Sequence, residues 1–233
     1  HPVDRRQRQM CIRDRTSAED LITLATQTAE AGTDGFMVGG STDLSLENVD
    51  LAVETIKETT HMPVILFPTH ASSVSGKADA IFFMSLLNSE SRQFLVGEQI
   101  ASAPWVKKTG LEPLSMAYLV VAPGMTAGRV GQAQPLPRDQ PDLVVSHALA
   151  GQYLGMKYIY LEAGSGASEP VPENIIKAVR ESIDVTLIVG GGIRTPETAR
   201  KDVAAGADIV VTGTCVETSK SLKEELTVLT NAR

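Results

Sequence analysis

From Thr16 onward, short β-branched runs alternate with amphipathic stretches of helical period, and that alternation admits few architectures. The spacing predicts strands over 35–38, 63–67, 80–84, 115–121, 157–161, 185–189 and 208–212. Between them it predicts helices: one from a Thr16/Glu19 capping box to Gly32, then 46–59, 91–108, 139–154, 172–181, 196–205 and a last one after strand 208–212. The stretch 68–79, rich in Pro, Ser, His and Gly, is too short for a full crossover helix, so one helix is expected to be missing there. Parallel strands joined by helices in a chain of 233 residues indicate an α/β fold, a modified (β/α)8 TIM barrel in a single domain.

Seven strands leave such a barrel one short. The eighth belongs at the N-terminus, where HPVDRRQRQMCIRDR carries five arginines in fifteen residues. A central parallel strand is buried on both faces and reads as continuous Val, Ile and Leu. The first strand is therefore expected to be damaged or absent. Residues 1–15 read as a non-native or disordered segment (QMCIRDR resembles translated sequencing-adapter read-through), with the barrel domain over 16–233. The remaining option is a short strand at 9–12.

Composition bounds the chemistry. A net charge of −7 argues against nucleic acid as a partner, and it requires any phosphate to be bound locally, by backbone N–H groups, helix N-termini or a metal ion. No apolar run is long enough to span a bilayer and no signal peptide opens the chain; with only Cys11 and Cys215, a reducing cytoplasm is expected.

In such barrels the active site forms at the C-terminal ends of the strands. Three successive strands end in suggestive sequences: Tyr160 through Gly166, then Gly190-Gly191-Gly192-Ile193-Arg194, then Gly213-Thr214. Any one could be only a tight turn. Together they read as one phosphate cradle, because glycine lets backbone approach an anion closely. Glu162 ends its strand beside that cradle and would repel a phosphate, so its partner is a substrate hydroxyl, whose proton it could accept; the alternative is a salt-bridged or solvated Glu at the barrel mouth. His61, His70 and His147 are scattered without metal-type spacing. Cys215 reads as a small buried residue, and Trp105 as a wall of a groove or as ordinary packing.

The segments YLEAGSGA, VGGGIRTPE, GADIVVTGT and AGTDGFMVGGST, with FFMSLLNS, together resemble the geranylgeranylglyceryl phosphate synthase family and its bacterial heptaprenyl relatives, from Thr16 to the C-terminal helix. That family's barrel also lacks the helix after the third strand. The resemblance implies a prenyltransferase joining sn-glycerol 1-phosphate to geranylgeranyl diphosphate, the archaeal form of YLEAGSG favouring the C20 donor. It assigns glycerol phosphate to Tyr160, Leu161, Glu162, Ala163, Gly164, Ser165 and Gly166, and its phosphate to Gly191, Gly192, Gly213 and Thr214. It implies Mg2+ held by Ser41 and by an Asp in a D-P-D-[KR] motif ending strand one. Here Ile12 stands at that Asp, Arg13 at the Pro, and Asp14 at the other Asp, which puts the metal and turnover in question. It further implies a homo-oligomer and peripheral membrane contact for the prenyl product. Two rivals stay open: another phosphate-binding barrel enzyme, and a non-catalytic descendant.

Overall fold

A computed structural model describes residues 7–12, 18–39 and 45–213. Eight parallel strands close a barrel in sequence order: β1 (Gln7–Ile12), β2 (Gly35–Gly39), β3 (Val64–Phe67), β4 (Ala80–Leu86), β5 (Glu112–Val120), β6 (Tyr158–Glu162), β7 (Thr186–Gly190) and β8 (Ile209–Thr212). Among the described residues seven α-helices flank them: α1 (Ala18–Glu30), α2 (Leu46–Thr60), α3 (Glu98–Thr109), α4 (Met125–Val130), α5 (Pro141–Tyr153), α6 (Glu173–Ser182) and α7 (Pro196–Ala205). The Thr16 end of the predicted capping box and the helix expected after β8 lie outside the described residues.

One expectation is corrected. A first strand is present, with Gln9 opposite Gly35 on β2 and Gln7 opposite Ile209 on β8. It starts two residues before the short strand allowed at 9–12. The reason lies in the backbone: without β1, β2 and β8 would each expose a row of unpaired N–H and C=O groups, and strand pairing there makes no demand on side-chain type. A reading based on side-chain burial could not register that.

The helices form where their sequences supply ends and an apolar stripe. Ser45 caps α2 by accepting from the Asn48 amide at 3.2 Å, and Val49, Ala52, Val53 and Ile56 form its buried face. Thr195 caps α7 in the same way, with Pro196 in its first turn and Gly206 ending it at φ 115°. The predicted helix 91–108 divides into a π-helical turn, Gln93–Gly97, and α3. The short α4 lies in what the sequence presents only as a glycine-rich loop.

Strand residues alternate between two cores. Phe36, Leu119, Leu161 and Val189 face the helices, whereas Met37, Phe82, Met116, Tyr118, Tyr160 and Ile188 fill the barrel interior. Between β3 and β4 the chain makes only a 3-10 turn, Ala71–Ser73, and the two strands share just two paired positions, Ile65 with Ala80 and Leu66 with Ile81. The missing helix thus interrupts the outer helical layer where the barrel wall is most weakly paired.

Candidate active site

The cavity at the C-terminal ends of the strands has two dissimilar ends. One is lined by Tyr160, Glu162, Ser165, Gly191, Gly192 and Gly213. Glu162 is the last residue of β6 and only 8% exposed. Its Oε1 accepts from the Gly164 amide at 2.6 Å, and its carboxylate also accepts from the Tyr160 and Tyr118 hydroxyls. Burial pushes the Glu162 carboxyl up from its usual range, and the three hydrogen bonds only partly offset this.

Glycine is required opposite that carboxylate. Gly191 sits at φ 84°, and a Cβ there would overlap Glu162 Oε1 and stand 2.6 Å from the Gly164 nitrogen. Gly192, at φ 74°, lies against the backbone of Glu169 and Pro170. The loops after β6 and β7 are therefore in direct contact. They are further tied by Ala163 N–H to Gly190 O at 3.0 Å, and by Arg194, whose Nη2 donates to the carbonyls of Gly166 at 2.9 Å and Ala167 at 3.2 Å.

Not every residue assigned from the sequence faces this space. Leu161 and Ala163 are fully buried in the helix-facing core, because they are the odd members of an alternating strand. The Gly164 amide is used by Glu162, and the Gly166 carbonyl by Arg194. Thr214, Cys215 and Ser41 lie outside the described residues. Tyr118 was missed, since 115–121 reads only as an apolar strand. Its register opposite Tyr160, two residues before Glu162, places it beside the carboxylate.

The other end of the cavity occupies the gap left by the missing helix. Phe67, Pro68, Val74, Phe83, Met84 and Phe94 form an apolar groove there. Its rim is held by Glu98, which takes His70 Nδ1 at 3.1 Å on one oxygen and the Ala71 amide at 2.7 Å on the other. Burial alone would raise the Glu98 carboxyl, but hydrogen bonds from Gln93, His70 and Ala71 outweigh it and hold the group below its usual range. Trp105 does not line the groove; its Nε1 donates to Val74 O at 2.8 Å from outside the wall.

The site does not fit a protein-held Mg2+ among the described residues. No three His, Cys, Asp or Glu side chains gather there. Residue 12, which ends β1, is an isoleucine, and the one carboxylate in the cradle is already engaged by three donors.

Comparison with known proteins decides the family: residues 12–231 match the PcrB family. The chain belongs to the PcrB family. This PcrB-family chain is 54% identical over 211 residues to the geranylgeranylglyceryl phosphate synthase of Pyrococcus horikoshii, covering 91% of its own length and 83% of that relative. The crystal structure of (S)-3-O-geranylgeranylglyceryl phosphate synthase from Thermoplasma acidophilum, in complex with its substrate sn-glycerol-1-phosphate, superposes with a TM-score of 0.94 at 44% identity, over 97% of this chain and 92% of that one. The wild-type GGGPS of Thermoplasma volcanium gives 0.92 at 45% identity, over 96% and 90%.

Proposed function

We propose that this PcrB-family chain transfers the geranylgeranyl group from its diphosphate to the free primary hydroxyl of sn-glycerol 1-phosphate, releasing sn-3-O-geranylgeranylglycerol 1-phosphate and diphosphate. The observation that carries the reading is the junction in the cavity. A buried carboxylate stands where a glycine-lined cradle meets an apolar groove, so a phosphate-bearing alcohol and an allylic chain placed in the two ends meet at Glu162. The kinship with geranylgeranylglyceryl phosphate synthases supplies the identity of the two substrates.

The cradle binds and orients the acceptor. Ser165 and the backbone at Gly191, Gly192 and Gly213 face the phosphate, which leaves the far hydroxyl directed at Glu162. The hydroxyl oxygen forms its bond to C1 of the allylic chain as the bond from C1 to diphosphate breaks, and the hydroxyl proton passes to Glu162. The raised pKa suits this role, because a carboxylate that holds a proton more readily is a better base near neutrality. The groove keeps the chain out of water beside the reacting carbon.

If Mg2+ takes part, the diphosphate oxygens and water would supply most of its ligands, as suits a small cation that keeps much of its hydration. Peripheral contact with a membrane follows from a product bearing a C20 chain; no helix among the described residues is long and apolar enough to cross one. Self-association and a cytoplasmic setting belong to the same proposal.

Glu162→Gln tests the reading. It should lower kcat by roughly 100-fold or more while sn-glycerol 1-phosphate still binds with near-native affinity by calorimetry. A variant with near-native turnover removes Glu162 from the mechanism.

A further inference from the structure

Glu162 enters the cavity from β6 with two neighbours that the proposed reaction does not itself consume. Tyr160 lies two residues earlier on the same inward face. Tyr118 lies on β5, in register with Tyr160, so that Glu162 is its diagonal neighbour across a parallel ladder. Diagonal pairs on one sheet face are within reach of long aromatic side chains. Both tyrosines are almost wholly buried, Tyr118 at 6% and Tyr160 at 2% exposure, and both line the cavity. The Tyr118 ring is wedged edge-on between Tyr160 and Phe67, with centroids 5.2 Å from each. A buried ring held on both sides has little rotational freedom, and its hydroxyl is delivered to the carboxylate.

We infer that Tyr118 is a positioning residue for the Glu162 carboxylate, an inference that rests on the role proposed for Glu162. A carboxylate offers about four lone-pair directions. Among the described residues, the Gly164 amide, the Tyr160 hydroxyl and the Tyr118 hydroxyl engage three of them, leaving one for the substrate hydroxyl. Tyr118 therefore fixes which lone pair faces the acceptor, and it stabilises the ionised form that acts as base. Tyr160 is poorly suited to do this alone, because it also packs tightly under Gly190, where a Cβ would overlap its hydroxyl.

The electrostatic surroundings make the effect readable. Around Glu162, among the described residues, β5 contributes Tyr118, β7 ends beside it at Gly190 and is followed by Gly191, and α4 brings no titratable group to the cavity. His70 and Glu98, the other titratable residues lining it among those described, are paired with each other at the far end of the groove. Loss of one donor to the carboxylate should raise its protonation tendency, and among the described residues no other charged group of the cavity lies beside it to compensate.

The test is Tyr118→Phe in the full chain, which keeps the ring and removes the donor. The acid limb of the pH profile of kcat/KM should move to higher pH. At pH 7, kcat should fall about tenfold, the worth of one hydrogen bond to a charged group, with KM for sn-glycerol 1-phosphate unchanged. In a Glu162→Gln background the same substitution should have no further effect on kcat. Site-specific 3-fluorotyrosine at position 118, a stronger donor of nearly the same shape, should move the limb to lower pH and provides the test should Tyr118→Phe fail to fold. An unmoved limb in both variants, with Glu162→Gln inactive, overturns the inference alone. Near-native turnover of Glu162→Gln overturns the proposed role of Glu162 and this inference with it.

Discussion

At Gly191 the space for a Cβ is already taken by the Glu162 carboxylate and the Gly164 amide. Gly191→Ala should therefore disturb the base and the cradle together, lowering kcat at least tenfold and weakening sn-glycerol 1-phosphate binding by calorimetry. Gly155 is the control. Its φ is 88°, but a Cβ there meets nothing within 4 Å. Gly155→Ala should cost about 1 kcal/mol of stability from backbone strain and leave transfer intact. Equal losses of activity in the two variants would mean that strain, not the crowding at Glu162, explains the glycine. Such residues were legible in the sequence because glycines after strands and a carboxylate at a strand end are chemically conspicuous. That the Leu161 and Ala163 side chains turn away from the cavity was not legible, since a motif does not reveal which strand residues point inward. Tyr118 stayed hidden because its significance comes from a neighbouring strand.

The elements were easier to read, since helical and strand periods differ and α2 and α7 carry their capping residues in the sequence. The gap between β3 and β4 was legible from spacing alone, but its use was not: the groove is built by residues from the 68–74 segment, β4 and the stretch from Phe94 to Ser102. Ser102 is buried on its wall. Ser102→Phe should fill the groove and raise KM for geranylgeranyl diphosphate about tenfold, with sn-glycerol 1-phosphate affinity unchanged. An unchanged KM would place the chain elsewhere. On the opposite side, α7 buries Asp202, whose Oδ2 has no hydrogen-bond partner among the described residues. Burial, with the Glu173 carboxylate adding to it, pushes the Asp202 carboxyl up to about 7. Because this lies above the roughly 3.9 of an unfolded Asp, its contribution to stability is complete below about pH 4 and is lost as pH rises through about 7. Asp202→Asn should remove that loss, so its melting temperature should exceed that of the native chain at pH 8 and approach it at pH 5. A native chain equally stable at both would show that the carboxyl is solvated.

For the molecule as a whole, barrel closure was the feature that side-chain chemistry concealed. Seven strands announce themselves by apolar runs. The eighth, Gln7–Ile12, is set by the open backbone edges of β2 and β8. The acidic net charge of −7 was informative in a different way, since it requires any anion site to be local, and the glycine-lined end of the cavity is where the proposed function puts it. The barrel places the glycine-lined end and the groove at one mouth, with Glu162 between them, and the proposed transfer relies on that arrangement to bring two unlike substrates together. The direct measurement is to incubate the chain with geranylgeranyl diphosphate, sn-glycerol 1-phosphate and Mg2+, and to analyse the lipid extract by mass spectrometry. The account predicts a time-dependent ether product, geranylgeranylglyceryl phosphate, with one equivalent of diphosphate released per product. Binding of sn-glycerol 1-phosphate without any ether product or diphosphate release, at any Mg2+ concentration, would contradict it.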